Sequence, residues 1–297
     1  MTSRSSERMI HTFRFPFWPV MVAAALSVAP AYAQHDKYAP AAIEASVQKA
    51  TASASAATAK ASTSPQCSAP KALSRLDRPL THTARLLAAG LPIRIIAIGS
   101  SSTAGAGASS PDASYPSRLA ADLRDRFPDH EITVINQGVN GEEAREMVAR
   151  FDAMIAERPD LVLWQVGTNA VLRDNPLPPA SSLIEKGLAQ LKATGADVIL
   201  IDPQFAPKVI AKSTLSRMLD LLALKAKQYN VNLFQRFAVM RDWREHQGLA
   251  FDTFVSPDQL HMNDWSYACV AKVLSGAIAE AATRATASAS ASAHSAR

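Results

Sequence analysis

Cysteine is nearly absent from this chain of 297 residues, which holds two, Cys67 and Cys269. They form no C-x-x-C pair and no H-E-x-x-H stretch occurs, so no metal-ligating pattern is present and neither a metal nor a cofactor is expected. Aromatic residues make up 6% of the sequence and no basic run is interleaved with them, which leaves a nucleic-acid partner without support. Gly105-Ala106-Gly107 lacks the third glycine of a dinucleotide fingerprint, and no Gly-Lys-Ser/Thr follows it. Long apolar runs are also missing. The stretch from Val20 to Ala29 is ended by Pro30 and is shorter than the roughly 20 residues that a bilayer span requires.

That short run has another reading. Arg4, Arg8 and Arg14 precede it and Ala31-Tyr32-Ala33 follows it, the small-x-small pattern at which a secretory signal is cut. Residues 1–33 are therefore expected to be a signal peptide cleaved before Gln34, with export to the periplasm or the medium and no stable membrane span afterwards. Removing three arginines and Glu7 takes the formal net charge from +5 to +3, a mild and dispersed excess.

Residues 34–70 are rich in alanine, serine and threonine, and residues 283–297 repeat that composition. Such segments carry too little bulky apolar surface to offset the entropy of ordering, so they read as a flexible tether and a disordered tail around a domain at 71–282. In an oxidising compartment Cys67 and Cys269 are a disulfide candidate that would clip the tether to the last helix; the other reading is two isolated small hydrophobes.

At 48% hydrophobic content, the remainder can bury one sizeable core. Its middle alternates short apolar runs with helical patterns, the signature of a parallel sheet covered by helices on both faces. Strands are expected at Ile93–Ile98, Ile132–Asn136, Asp160–Val166, Asp197–Ile201 and Val231–Phe234. Helices are expected at Tyr115–Phe127, Glu142–Glu157 and Ser181–Thr194. Another follows Leu215, Met218, Leu219, Leu222 and Ala226, and a final one opens at Asn263 or Asp264. The expected fold is a three-layer α/β/α sandwich around a five-stranded parallel sheet.

In such a sheet, ligands sit beyond the carboxyl ends of the strands, and the polar signals fall there. Strand one runs into Gly99-Ser100-Ser101-Ser102-Thr103, strand two into Asn136-Gln137-Gly138-Val139-Asn140-Gly141, and strand three into Gly167-Thr168-Asn169. After strand five comes Asp258-Gln259-Leu260-His261. A serine hydroxyl is a poor nucleophile until a base removes its proton, and the base must be held in one tautomer by an acceptor. The chain has all three parts. His11 lies in the signal, His35 beside the expected cleavage point and His294 in the tail, while His82, His130 and His246 have no acid placed as Asp258 is to His261.

Over roughly residues 92–282 the chain resembles the SGNH or GDSL hydrolase family, which is defined by four blocks holding a serine, a glycine, an asparagine and a histidine, and which has a flavodoxin-like sheet. The first block, G-D-S-x-T, aligns with Gly99 to Thr103 and points to Ser101 as nucleophile, with Ser100 where aspartate is usual. The second aligns with Asn136 to Gly141, with Asn140 in the serine position. The third, G-x-N-D, aligns with Gly167 to Ala170, alanine replacing aspartate. The fourth, D-x-x-H, is Asp258 and His261. The resemblance implies that His261 takes the Ser101 proton and Asp258 orients the ring. The backbone N–H groups of Ser101 and Gly141, with the Asn169 amide, would form an oxyanion hole.

Each block alone is an ordinary turn; the weight lies in four of them falling in order at one sheet edge. The implied activity is that of an exported serine hydrolase cleaving carboxylic esters, such as O-acetyl groups on a polysaccharide or acyl groups of a lipid. Ala170 to Ala180 and Pro203 to Ser213 are its expected specificity loops, and the protein is taken as a monomer by default. The alternative is a non-catalytic phosphate-, nucleotide- or carbohydrate-binding domain of flavodoxin-like fold, which has no need of an Asp-x-x-His at the far end of the chain.

Overall fold

The computed structural model describes residues 65–295; the expected signal peptide and most of the expected tether lie outside them. Helix α1 (Thr81–Ala89) leads into β1 (Ile93–Gly99), α2 (Ser101–Ala104), α3 (Tyr115–Arg126), β2 (Ile132–Gly138), α4 (Ala144–Ala149), α5 (Phe151–Ala156) and β3 (Leu161–Gln165). There follow α6 (Thr168–Leu172), α7 (Leu177–Ala193), β4 (Asp197–Ile201), α8 (Pro207–Ile210), α9 (Leu215–Gln228) and β5 (Asn232–Phe234). The described chain closes with α10 (Arg236–Glu245), α11 (Phe251–Phe254) and α12 (Asp264–Ser295).

The five strands form one all-parallel sheet in the order β2-β1-β3-β4-β5. A parallel sheet with helices on both faces needs apolar residues on both sides of its strands. That is why β3, Leu-Val-Leu-Trp-Gln, is buried throughout, and why Arg94 alone is exposed in β1. Helices α1, α3 and α12 pack together over one face, while α4, α5, α7 and α9 cover the other. The order reverses between β1 and β3, so the loops leaving those strands diverge and open a crevice at their carboxyl ends.

The expected strands and the main helices are present within a few residues. Three features differ. The helix expected from Glu142 to Glu157 is two, meeting at Arg150, whose side chain reaches back to the Glu142 carboxylate (2.6 and 3.0 Å) and the Gln137 carbonyl (3.1 Å). The first of the two opens later, on a reciprocal capping box between Glu143 and Glu146. Second, α1, α10 and α11 and the short helices α2, α6 and α8 had no counterpart in the sequence reading. Third, the last helix does not stop at 282: it continues to Ser295, with Ala282 and Ala285 buried against Ala84. Alanine loses no side-chain entropy in a helix, so a composition read as a disordered tail is also the best helix former.

The end of the expected tether is held firmly. Cys67 and Cys269 are joined in a disulfide. The Trp265 indole donates to the Pro65 carbonyl and that of Trp243 to the Ser68 carbonyl, both at 2.9 Å.

Candidate active site

The buried run of β1 ends at Gly99, and the chain turns at once into α2. Ser100, Ser101 and Ser102 stand in line there, and their surroundings separate them. Ser100 is buried, and its N–H and hydroxyl both donate to Gln165 Oε1, at 2.9 and 3.0 Å; Thr103 Oγ1 adds a third donor at 3.2 Å. Ser102 is buried and accepts from Arg236 at 2.9 Å. Ser101, between them, places its hydroxyl 2.9 Å from Nε2 of His261. The missing block aspartate is thus accommodated by Gln165 on β3, which gathers the first turn of α2 around a single oxygen.

Two glycines let this turn sit where it does. A Cβ on Gly138 would lie 2.1 Å from the backbone nitrogen of Ala104, so only glycine lets β2 run this close under α2. Gly107 has φ +88, and a Cβ there would lie 2.4 Å from the Met262 carbonyl oxygen and 3.0 Å from His261 Cβ. The loop after Ser101 and the loop carrying His261 therefore touch backbone to backbone. Tyr267 Oη donates to Ala106 O at 2.7 Å and Ser109 N–H to Asp264 Oδ1 at 2.8 Å, stapling the same loop to the start of α12.

The histidine loop is a narrow turn closed by a bridge between Val255 and Met262, with Ser256 N–H donating to His261 O at 2.8 Å. Asp258 does two things within it. One carboxylate oxygen accepts the backbone N–H groups of Leu260 and His261, both at 3.0 Å; the other makes a short contact with Nδ1 of the His261 ring. Partial burial raises the pKa of this acid, but the hydrogen bonds from the His261 backbone and ring, then from Leu260, outweigh that and hold it below the usual carboxylate range. An ionised Asp258 on Nδ1 leaves Nε2 to accept the hydroxyl proton of Ser101.

On the opposite side of the crevice, the Asn169 amide at the start of α6 donates to the Glu142 carbonyl at 2.8 Å, fixing the side chain beside Gly141. Arg173 donates to the Gly141 carbonyl at 2.9 Å and pairs with Glu143, which also accepts from Asn175 at 2.8 and 2.9 Å. The Ser101 and Gly141 backbone N–H groups have no hydrogen bond among the described residues. A cavity of about 370 Å³ adjoins this side, lined by Glu143, Val166, Ala170, Asn175, Ile184 and Met218 among others. No group of acidic, histidine or cysteine residues able to hold a metal ion occurs among the described residues.

Ser101, Gly141, Asn169, Asp258 and His261, named from the sequence, lie on the turns and loops that follow the strands, whereas Cys67 and Cys269 lie elsewhere, at the disulfide. The serine, imidazole and carboxylate form one continuous hydrogen-bonded line across 160 positions of sequence. The sequence reading missed Gln165, Gln204 and Arg236, which are buried beneath that line. A signal for Arg236 exists: it shares one face of α10 with Val239, Met240 and Trp243, all buried, and a cation at core spacing is unusual.

A serine-bearing turn after β1 and an Asp-x-x-His loop before the last helix thus meet at the carboxyl end of the sheet. The chain belongs to the non-GDSL lipase-like family, whose model matches residues 66–284. That description accords with Ser100 in the place of the GDSL aspartate. An arylesterase from Vibrio mimicus is 29% identical over 125 residues, which are 42% of this chain and 61% of that protein, so the chain spans about three fifths of its relative. Among solved structures, a two-domain esterase active on acetylated mannans superposes with a TM-score of 0.62 at 22% identity, covering 72% of this chain and 57% of that one. TesA gives 0.54 at 20% identity, covering 63% and 99%. A variant of an acetyl xylan esterase from Geobacillus stearothermophilus gives 0.52 at 19% identity, covering 65% and 96%. At these identities the likeness establishes the fold.

Proposed function

We propose that this protein is an exported serine hydrolase that cleaves carboxylic esters through an acyl-enzyme on Ser101. The observation that carries the reading is the 2.9 Å contact from His261 Nε2 to Ser101 Oγ, backed by Asp258 on Nδ1. His261 takes the hydroxyl proton as Oγ attacks the ester carbonyl carbon. The negative charge that develops on the carbonyl oxygen is met by the Ser101 and Gly141 N–H groups and the Asn169 amide. The imidazolium then protonates the departing alcohol, leaving the acyl group on Ser101. Water attacks that acyl carbon with His261 again as base, releasing the acid and restoring the serine.

Acetyl esters on a polysaccharide are the substrate class we favour. Of two structural neighbours, one is an esterase active on acetylated mannans and the other an acetyl xylan esterase. Export rests on the signal-like residues 1–33 and agrees with a disulfide at Cys67–Cys269, since such bonds persist in oxidising compartments. The decisive assay is hydrolysis of p-nitrophenyl acetate and p-nitrophenyl octanoate by the purified protein, by Ser101→Ala and by His261→Ala. The expected result is turnover by the wild type, faster on acetate, and loss in both variants. Equal inertness of all three on both esters overturns the enzyme reading in favour of a binding domain, and a preference for octanoate moves the substrate from acetylated sugar to lipid.

A further inference from the structure

Below the Ser101 turn lies a charged side chain that the proton relay does not use. Arg236, the first residue of α10, is 0% exposed, and its guanidinium is engaged in three directions. Nη1 donates to Ser102 Oγ at 2.9 Å, Nη2 to Gln204 Oε1 at 3.1 Å, and Nε to the Asp202 carbonyl at 3.0 Å. Gln204 is 1% exposed. Its Oε1 also accepts from Thr168 Oγ1 at 3.1 Å, and its Nε2 donates to the Leu260 carbonyl at 3.3 Å.

The three outer ends of this hub are Ser102, Thr168 and Leu260. Each is the sequence neighbour of a residue in the proposed machinery: Ser101, Asn169 and His261. Those three come from the ends of β1 and β3 and from a loop near the end of the chain, and no other buried polar cluster joins them among the described residues. Desolvating a guanidinium costs several kcal/mol, and apolar side chains of similar volume often hold a core as well or better. A charge retained at that cost, bonded directly to Ser102 and through Gln204 to Thr168 and Leu260, suits a role in geometry better than one in bulk stability.

We propose that Arg236 and Gln204 are positioning residues, a buried bridge that holds Ser101, Asn169 and His261 in one frame. The inference rests on the esterase reading above. Misplacing a reacting group by about 1 Å can cost about 100-fold in rate, so loosening one end of the bridge should be felt in kcat. Substrate binding depends on the outer loops and should change little.

The test compares Ser102→Ala, Gln204→Leu, their double variant and Arg236→Lys in the whole purified protein. Each single change at positions 102 and 204 is expected to lower kcat on p-nitrophenyl acetate by about tenfold or more, with KM within about twofold. The double variant should be no worse than the poorer single, since both cut the same bridge. Arg236→Lys keeps the charge but not the three-way fork and should lose kcat to a similar degree. Folded variants with wild-type kcat, or losses that simply add, overturn the bridge while leaving the esterase reading intact. Ser102→Ala removes a single hydroxyl and keeps the test open if Gln204→Leu does not fold. The downfield Nδ1 proton of His261 in NMR reads the seating of the ring without turnover. It should broaden or shift in Gln204→Leu, and an unchanged signal counts against the bridge even if no ester is cleaved.

Discussion

At the scale of single residues, the three adjacent serines show how much a sequence pattern leaves open. The resemblance selects Ser101, but nothing in Gly99 to Thr103 says where Ser100 and Ser102 turn. The partners that bury them, Gln165 and Arg236, are 65 and 134 positions away. Asp258 and His261 were legible because their relation is local: three residues apart, they meet within one turn. Two consequences follow for the proposed reaction. Asn169→Ala removes the proposed side-chain donor to the developing oxyanion and should lower kcat by about 100- to 1,000-fold, with a small effect on KM, measured by steady-state ester hydrolysis. Asp258→Asn keeps the shape of the turn but loses the negative charge that holds the imidazole tautomer; it should lower kcat by about 100-fold or more in the same assay.

At the scale of elements, the strands were easy to read and the helices less so. β3 declares itself by an apolar run, and β1 by one broken only at Arg94, both suited to burial on both faces. α10 was hidden because it starts two residues after β5, with no turn former between Phe234 and Arg236 to separate strand from helix. Close approach between elements was invisible too. Gly138 reads in sequence as part of a turn motif, yet it is the point at which β2 slides beneath α2 with no room for a side chain. Gly138→Ala should therefore cost about 1–3 kcal/mol in a urea melt, and should depress ester turnover because relief of the clash moves the helix carrying Ser101. A variant as stable and as active as the wild type would show that α2 and β2 separate freely.

For the whole molecule, two features tie distant parts of the chain into one stability. The Cys67–Cys269 disulfide joins the incoming segment to α12 across a sequence separation of 202. Such a cross-link is worth about 2–5 kcal/mol, so Cys67→Ser should melt roughly 5–15 °C lower, and reductant should lower the wild type but not the variant. The second feature is the buried carboxyl of Asp202, whose Oδ1 accepts the Phe237 N–H at 2.8 Å beside the Arg236 guanidinium. Burial raises its pKa from 3.8 to about 7, against the opposing pull of the Phe237 N–H and the Arg236 charge. Folded protein thus keeps a proton that the unfolded chain gives up near pH 4. Between these values the native state binds more protons than the unfolded one, so this group makes stability fall as pH rises from about 4 to about 7 and level off above. Asp258 and Asp264, whose pKa values are lowered, act with the opposite sign and below that window, losing their contribution as pH falls into the acid range. Asp202→Asn keeps the volume and removes the titration. Its stability relative to wild type should improve by more than about 1 kcal/mol as urea melts move from pH 4 to pH 8, and a difference that does not change with pH would mean that Asp202 is ionised throughout.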